Sequence, residues 1–268
     1  MKKNYLIALF AMICSFASAQ IEPTTYRGAF APAPAAQWTD SWTNFDPKNA
    51  TYPASTVTVS GGNITTNTTW SAANTYTITG PVYVTNGATL TIEPGTVIYG
   101  DNNISYLVIT RGSKINAAGT AANPIVFTSN KTTRQKGDWG GIIVLGSGRF
   151  NFNSGVQHIE GVTQDLVNFT TQYGGGANPI NDDNSGVMQY VRIEFGGVPL
   201  AGTTNNEING LTMGAVGSGT TIDHIQVSYC GDDAFEWFGG SVNCKYLVAF
   251  ATWDDDFDTD AGYNGNVQ

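Results

Sequence analysis

Basic side chains are scarce here: 12 lysines and arginines stand against 21 aspartates and glutamates in 268 residues, a formal charge of -9 at pH 7. A phosphate backbone needs a Lys/Arg face, so nucleic-acid binding of the ordinary basic kind is excluded. Charge of either sign is also sparse, at 12% of residues, and the Glu, Lys and Arg that long helices favour give way to Thr, Asn, Gly and Ser. That composition excludes an α-helical protein and suits strands and tight turns. Long apolar runs are missing as well. The run from Tyr5 to Phe16 is too short to cross a bilayer comfortably, and nothing later is long enough, so no transmembrane segment is expected. What remains is 41% hydrophobic residues, enough for a core.

The first residues read as an address. Lys2 and Lys3 precede the apolar run, and Ala17-Ser18-Ala19 forms a small-residue cleavage pattern before Gln20. We expect a signal peptide over 1–19 and an exported, secreted or cell-surface chain beginning near Gln20. Residues 20–60 are irregular, with a semi-extended Ala31-Pro32-Ala33-Pro34-Ala35-Ala36 linker. An aromatic cluster of Trp38, Trp42, Phe45 and Tyr52 follows, expected to seal the end of a core.

From about 61 onward, short β-rich runs recur with Gly, Asn and Asp between them. Tyr83–Leu90 superposes on Val108–Ile115 at an offset of 25, and Ile225–Tyr229 on Leu247–Ala251 at an offset of 22. The second offset also aligns Asp232 with Asp254, Asp233 with Asp255, Phe235 with Phe257 and Glu236 with Asp258. Val191–Phe195 is a further copy 34 residues before Ile225, which requires a loop around Pro199 to Asn206. Repeats of this length built from strands suit one coil of a parallel β-helix. An antiparallel β-sandwich, the second choice, would not keep register through strand and turn alike. Alternation then points Val191, Ile193, Phe195, Ile225, Val227, Tyr229, Leu247, Ala249 and Ala251 inward, and Arg192, Glu194, Gln226 and Ser228 outward. Gly146 to Gly186, polar and carrying Asn181-Asp182-Asp183-Asn184, reads as a long loop of the kind that is functional or disordered. The last coil has no terminal cap after Asp260, so the β-helix of 61–268 is expected to be an N-terminal fragment.

With the coils placed, the sequence resembles a right-handed parallel β-helix of the pectate-lyase-like superfamily. Gly87–Ile98 and Asn123–Ser129 resemble the opening coils of large secreted bacterial β-helix proteins of the type IX secretion kind. Gly137–Ile143, Tyr190–Gly197 and Gly231–Gly240 are similar to their later coils. Ile222-Asp223-His224, followed by Ser228, is similar to a segment of pectate lyases, with Thr221 where those enzymes have Trp. The resemblance places Asp232 and Glu236 at the spacing of calcium-holding acids, while the basic residue that takes the substrate proton has no match. Gly231-Asp232-Asp233 is similar to the acidic pair of polygalacturonases, without their other motifs.

The sharpest chemical feature is the acidic series Asp232, Asp233, Glu236, Asp254, Asp255, Asp256, Asp258 and Asp260. Stacked carboxylates repel unless a proton or cation intervenes, and oxygen ligands in such number favour calcium. The bland alternative is that these acids populate turns and keep the surface soluble. Lys245 is the nearest base in sequence. Trp237 and Trp253 border the acids as sugar platforms, although alternation also allows Trp237 a core position; Arg192 and Glu194, an outward ion pair of little energetic weight, are the other ligand-binding candidates. His224, far in sequence from the only other histidine, His158, reads as a stacked or turn residue. Cys230 and Cys244 lie too far apart along one coil for a disulfide unless the turn folds back, so two free thiols are expected. Three functions fit: a surface or extracellular protein binding a polysaccharide or cell-surface glycan with calcium, the N-terminal part of a calcium-dependent polysaccharide lyase or glycosidase, or a structural stalk or adhesin. The absence of a visible base favours the first.

Overall fold

The computed structural model describes residues 22–168, 170–199 and 207–268; the leader expected over 1–19 lies outside them. Apart from one 3-10 turn at Pro47–Asn49, the regular elements are strands. They coil into a parallel β-helix. Each rung contributes one strand to each of three faces. Val57–Val59, Gly62–Ile64 and Thr68–Trp70 make the first rung, and Thr75–Ile78, Val82–Val84 and Thr89–Ile92 stack on it in parallel register.

The expected offsets are those of the stacked rungs. Val84 pairs with Ile109, Ile225 with Leu247, Val191 with Ile225, and Glu236 with Asp258. From Gly186–Glu194 onward, two faces merge into single long strands, here β1 (Gly186–Glu194), β2 (Thr221–Ser228) and β3 (Cys244–Phe250). The first half of β1 pairs with Lys114–Ala118 and its second half with Ile125–Ser129. Each long strand bends at one residue of positive φ, namely Tyr190, His224 and Tyr246 at 49°, 53° and 57°. Their rings stack, with His224 4.3 Å from each tyrosine. The remaining face holds β4 (Leu211–Gly214), β5 (Phe235–Phe238) and β6 (Phe257–Asp260) in parallel register.

Alternation places Ile115, Ile125, Phe127, Val191, Ile193, Phe195, Ile225 and Val227 inside, all essentially without exposure. Tyr229, Leu247 and Ala249 pack against this core but are only partly buried, and Ala251 is exposed, because they belong to the last rungs. Phe257 also points inward, stacking on Phe235 at 5.5 Å. Residues 266–268 begin a further rung, pairing with Cys244 and Tyr246.

Two insertions cover the solenoid's outside. Residues 22–56 form a strap lying along β1, β2 and β3. Asn44 exchanges two hydrogen bonds with Gln226, Tyr52 donates to Glu194 at 2.8 Å, and Trp38 and Trp42 pack edgewise on His224. The aromatic cluster therefore seals a side of the solenoid and not its end. Gln226 and Ser228 point outward as expected and are nonetheless fully buried, Gln226 by its bonds to this strap. The second insertion, residues 147–185, folds over the face of β4 and β5, packing Phe150, Ile159, Val162 and Tyr173 against Tyr106, Ile143 and Phe238. The loop after Phe195 carries a short antiparallel pair, Val198–Pro199 with Glu207–Ile208. Cys230 and Cys244 are buried free thiols. Among the described residues no helix is long and apolar enough to cross a membrane.

Candidate cation cleft

Glu236 lies on β5 between the inward residues Phe235 and Trp237, so alternation turns its carboxylate outward. One rung on, Asp258 and Asp260 repeat that parity beside Glu236 and Phe238. Asp232, Asp233 and Asp254 come from the turns leading into β5 and β6. Two residues without any repeat signal complete the wall: Glu160 from the long insertion and Glu207 from the short antiparallel pair. These eight carboxylates and Phe238 line one cleft of about 320 Å³.

The acids crowd each other. Oxygen atoms of Asp232, Asp233 and Asp254 lie within 4.8 Å of one another, and so do those of Asp233, Glu236 and Asp258. Asp233 belongs to both trios. Among the described residues no lysine, arginine or histidine pairs with any of them; the ion pairs found are Arg192 with Glu194, Asp223 with His224 and Lys245, and Lys245 with Glu22. Proton affinity rises accordingly. Burial, then the charges of Asp233 and Glu207, push Asp232 up to about 7. Asp233 rises to about 6, chiefly through burial and then the neighbouring Asp258, Asp255 and Asp254. Glu160 and Glu236 are both displaced well above the carboxylate range, first by burial and then by nearby acids, Glu207 for the one and Glu160 itself for the other. Asn209, 1% exposed, donates its amide to Glu236 while its own carbonyl oxygen has no partner, and the buried hydroxyl of Thr212, in register with Glu236, has none either.

Of the acids expected from sequence, six meet in the cleft. Asp255 and Asp256 do not: the Asp255 backbone N–H donates to Asp233 at 2.8 Å, and the Asp256 carboxylate, exposed, accepts from Thr252 at 2.8 Å. Lys245 is no candidate base for these acids, because it lies on β3, bonded to Glu22 and near Asp223. Trp237 is corrected from a sugar platform to a core residue: it has no exposure and stacks on Phe235 and Tyr263, since it shares the inward parity of Phe235. Arg192 and Glu194 are likewise not surface ligands. Glu194 is 1% exposed beneath the strap, with Arg192 3.8 Å away. Trp253 remains available, 73% exposed beside Asp254, with the Lys136 ammonium 5.8 Å from its ring centre.

A family model described as a pectate-lyase-like beta helix domain matches residues 62–268. The chain belongs to that family. The match spans the rungs from Gly62 onward, both trios of acids and the insertion at 147–185, but not the strap, and it accounts for the parallel β-helix. No curated protein and no solved structure matches the chain. Membership in the pectate-lyase-like β-helix family thus gives architecture, and the chemistry rests on the cleft itself.

Proposed function

We propose that this is an exported or cell-surface β-helix protein that holds calcium in the acidic cleft and, through it, binds an acidic polysaccharide. The observation that carries this reading is eight carboxylates in one cleft with, among the described residues, no cationic side chain paired to them. Acids that merely solubilise a surface stand apart or take lysine and arginine partners. Here they converge, and Glu160, Asp232, Asp233 and Glu236 gain proton affinity, a repulsion that a divalent cation relieves in place of protons. An all-oxygen donor set suits calcium, which accepts six to eight ligands at flexible geometry. The two trios sharing Asp233 offer places for two ions, and the partnerless oxygen of Asn209 offers a neutral ligand beside them. With the cation bound, unsatisfied coordination positions attract carboxylate or sulfate groups of a glycan, and Trp253 supplies an apolar plane at the rim.

A lyase or glycosidase is the second reading, favoured by one placement. His158 lines a neighbouring pocket with Glu160, Phe238 and Asp260, so an imidazole and a carboxylate of raised proton affinity, Glu160, border one groove. Thermal unfolding of the chain in calcium and in chelator tests the first reading. A rise in midpoint with calcium that disappears in the Asp233→Asn, Glu236→Gln, Asp258→Asn triple variant supports it, and an unchanged midpoint sinks it. Calcium-dependent retention on an acidic polysaccharide without cleavage separates binding from catalysis.

A further inference from the structure

Away from the cleft, the turns that follow Val82–Val84 and Tyr106–Ile109 stack on one another. Each is closed by a backbone bond, Ala88 N–H to the Thr85 oxygen at 3.0 Å and Ser113 N–H to the Thr110 oxygen at 2.9 Å. Register puts Thr85 beside Thr110 and Asn86 beside Arg111. These four residues, with Asn168 and Thr170 of the long insertion, line a polar groove of about 460 Å³.

Arg111 is half-buried there without a counter-charge. Its two terminal nitrogens donate to the Gly174 carbonyl oxygen at 2.7 Å and the Gln172 side-chain oxygen at 2.9 Å. Those bonds spend two of the five N–H groups of a guanidinium and fix its plane. Among the described residues it makes no ion pair. Asp165 of the insertion is occupied by the Val167 and Asn168 amides and the Thr170 hydroxyl, all within 3.0 Å. Burial alone pulls the Arg111 pKa below its ordinary value, which is the mark of a cation with no anion beside it. A planar guanidinium that stays charged, framed by hydroxyls and amides, matches an oxyanion on a hydroxylated ligand.

We propose that Arg111, with the hydroxyls and amides of the stacked turns, forms a second binding site, which takes the carboxylate or sulfate group of an acidic sugar directly and without a metal. It extends the glycan reading given above to a separate place on the solenoid. In chelator the cleft is silent, so failure here leaves the calcium result standing, and failure of the calcium result leaves this site testable.

The test is calorimetric titration of the full chain, in chelator at low salt, with a glucuronate oligosaccharide, a sulfated oligosaccharide and an uncharged one. Saturable binding of at least one acidic sugar and none of the uncharged sugar is expected, and the preferred acid identifies the anion. Arg111→Met lowers affinity at least tenfold, and Arg111→Lys, which keeps the charge but not the fork, lowers it less. Asn86→Ala, which leaves both Arg111 bonds to the insertion in place, weakens binding several-fold and guards against a merely misplaced loop. Absence of saturable binding, equal binding of the uncharged sugar, or unchanged affinity in Arg111→Met or in Asn86→Ala overturns the proposal.

Discussion

Glu194 on β1 and Glu236 on β5 both point outward from the same solenoid, and both are buried, at 1% and 6% exposure. Under the strap, Glu194 accepts from the Tyr52 hydroxyl and sits beside Arg192; burial raises its pKa, and Arg192 and the Tyr52 bond pull it part of the way back. In the cleft, Glu236 has Asn209 as a donor and acids for its other neighbours. Burial of a carboxylate therefore does not mark a site in this fold. The partners do: the strap side assembles its acids with donors and cations, whereas the cleft side assembles acids with acids.

The largest way to break that contrast is to strip the strap side of its cation. Arg192→Met leaves buried Glu194 with only the charge of Arg134 still acting on it and costs about 3 kcal/mol at neutral pH. Denaturant unfolding should show that loss shrinking in acid, as Glu194 protonates. Next comes the metal. Calcium at one hundred times its dissociation constant stabilises a single-site protein by about 2.7 kcal/mol, and this gain should be intact in Arg192→Met but absent in the cleft triple variant.

A third outcome concerns pH in chelator. Asp232 and Asp233, raised to about 7 and about 6, hold protons more tightly folded than unfolded. Unfolding then releases protons, so stability falls as pH rises from the ordinary carboxylate range through about 6 and about 7. Saturating calcium should flatten that fall, and unfolding midpoints across pH 4 to 8 read it directly. A smaller effect is expected of Tyr52→Phe, about 1 kcal/mol for one hydrogen bond to a buried acceptor, with calcium response unaltered. Smallest is Trp253→Ala, within about 0.5 kcal/mol in stability because the ring is exposed, yet weakening retention on the glycan.

The rungs were legible because a solenoid writes its geometry into the chain. Stacked positions recur at the coil length, so the offsets of 22, 25 and 34 became the pairings Glu236 with Asp258, Val84 with Ile109 and Val191 with Ile225. Six cleft acids followed from that periodicity. Glu160 and Glu207 did not, since they stand on insertions that obey no period, and only their elements' folding back brings them to β5. The fate of Arg192, Glu194 and Gln226 was hidden for a related reason. Alternation gives a side chain's direction, not what lies over it, and Asn44 reaches Gln226 across 182 residues of chain. Trp237 shows the converse: its parity alone placed it in the core, and the acids flanking it in sequence drew the reading outward.

The strap also sets an order of events. Glu22 binds Lys245 and Tyr246, 223 and 224 residues away, whereas each rung pairs with a neighbour one coil back. Rungs can accrete by closing short loops, and folding can propagate along the stack. Tyr52 to Thr56 rest on early rungs, but the strap from Glu22 to Phe45 has no surface to lie on until β1, β2 and β3 exist. The part of the molecule synthesised early is thus expected among the last to dock, since its Glu22 bonds close over 223 and 224 residues of chain.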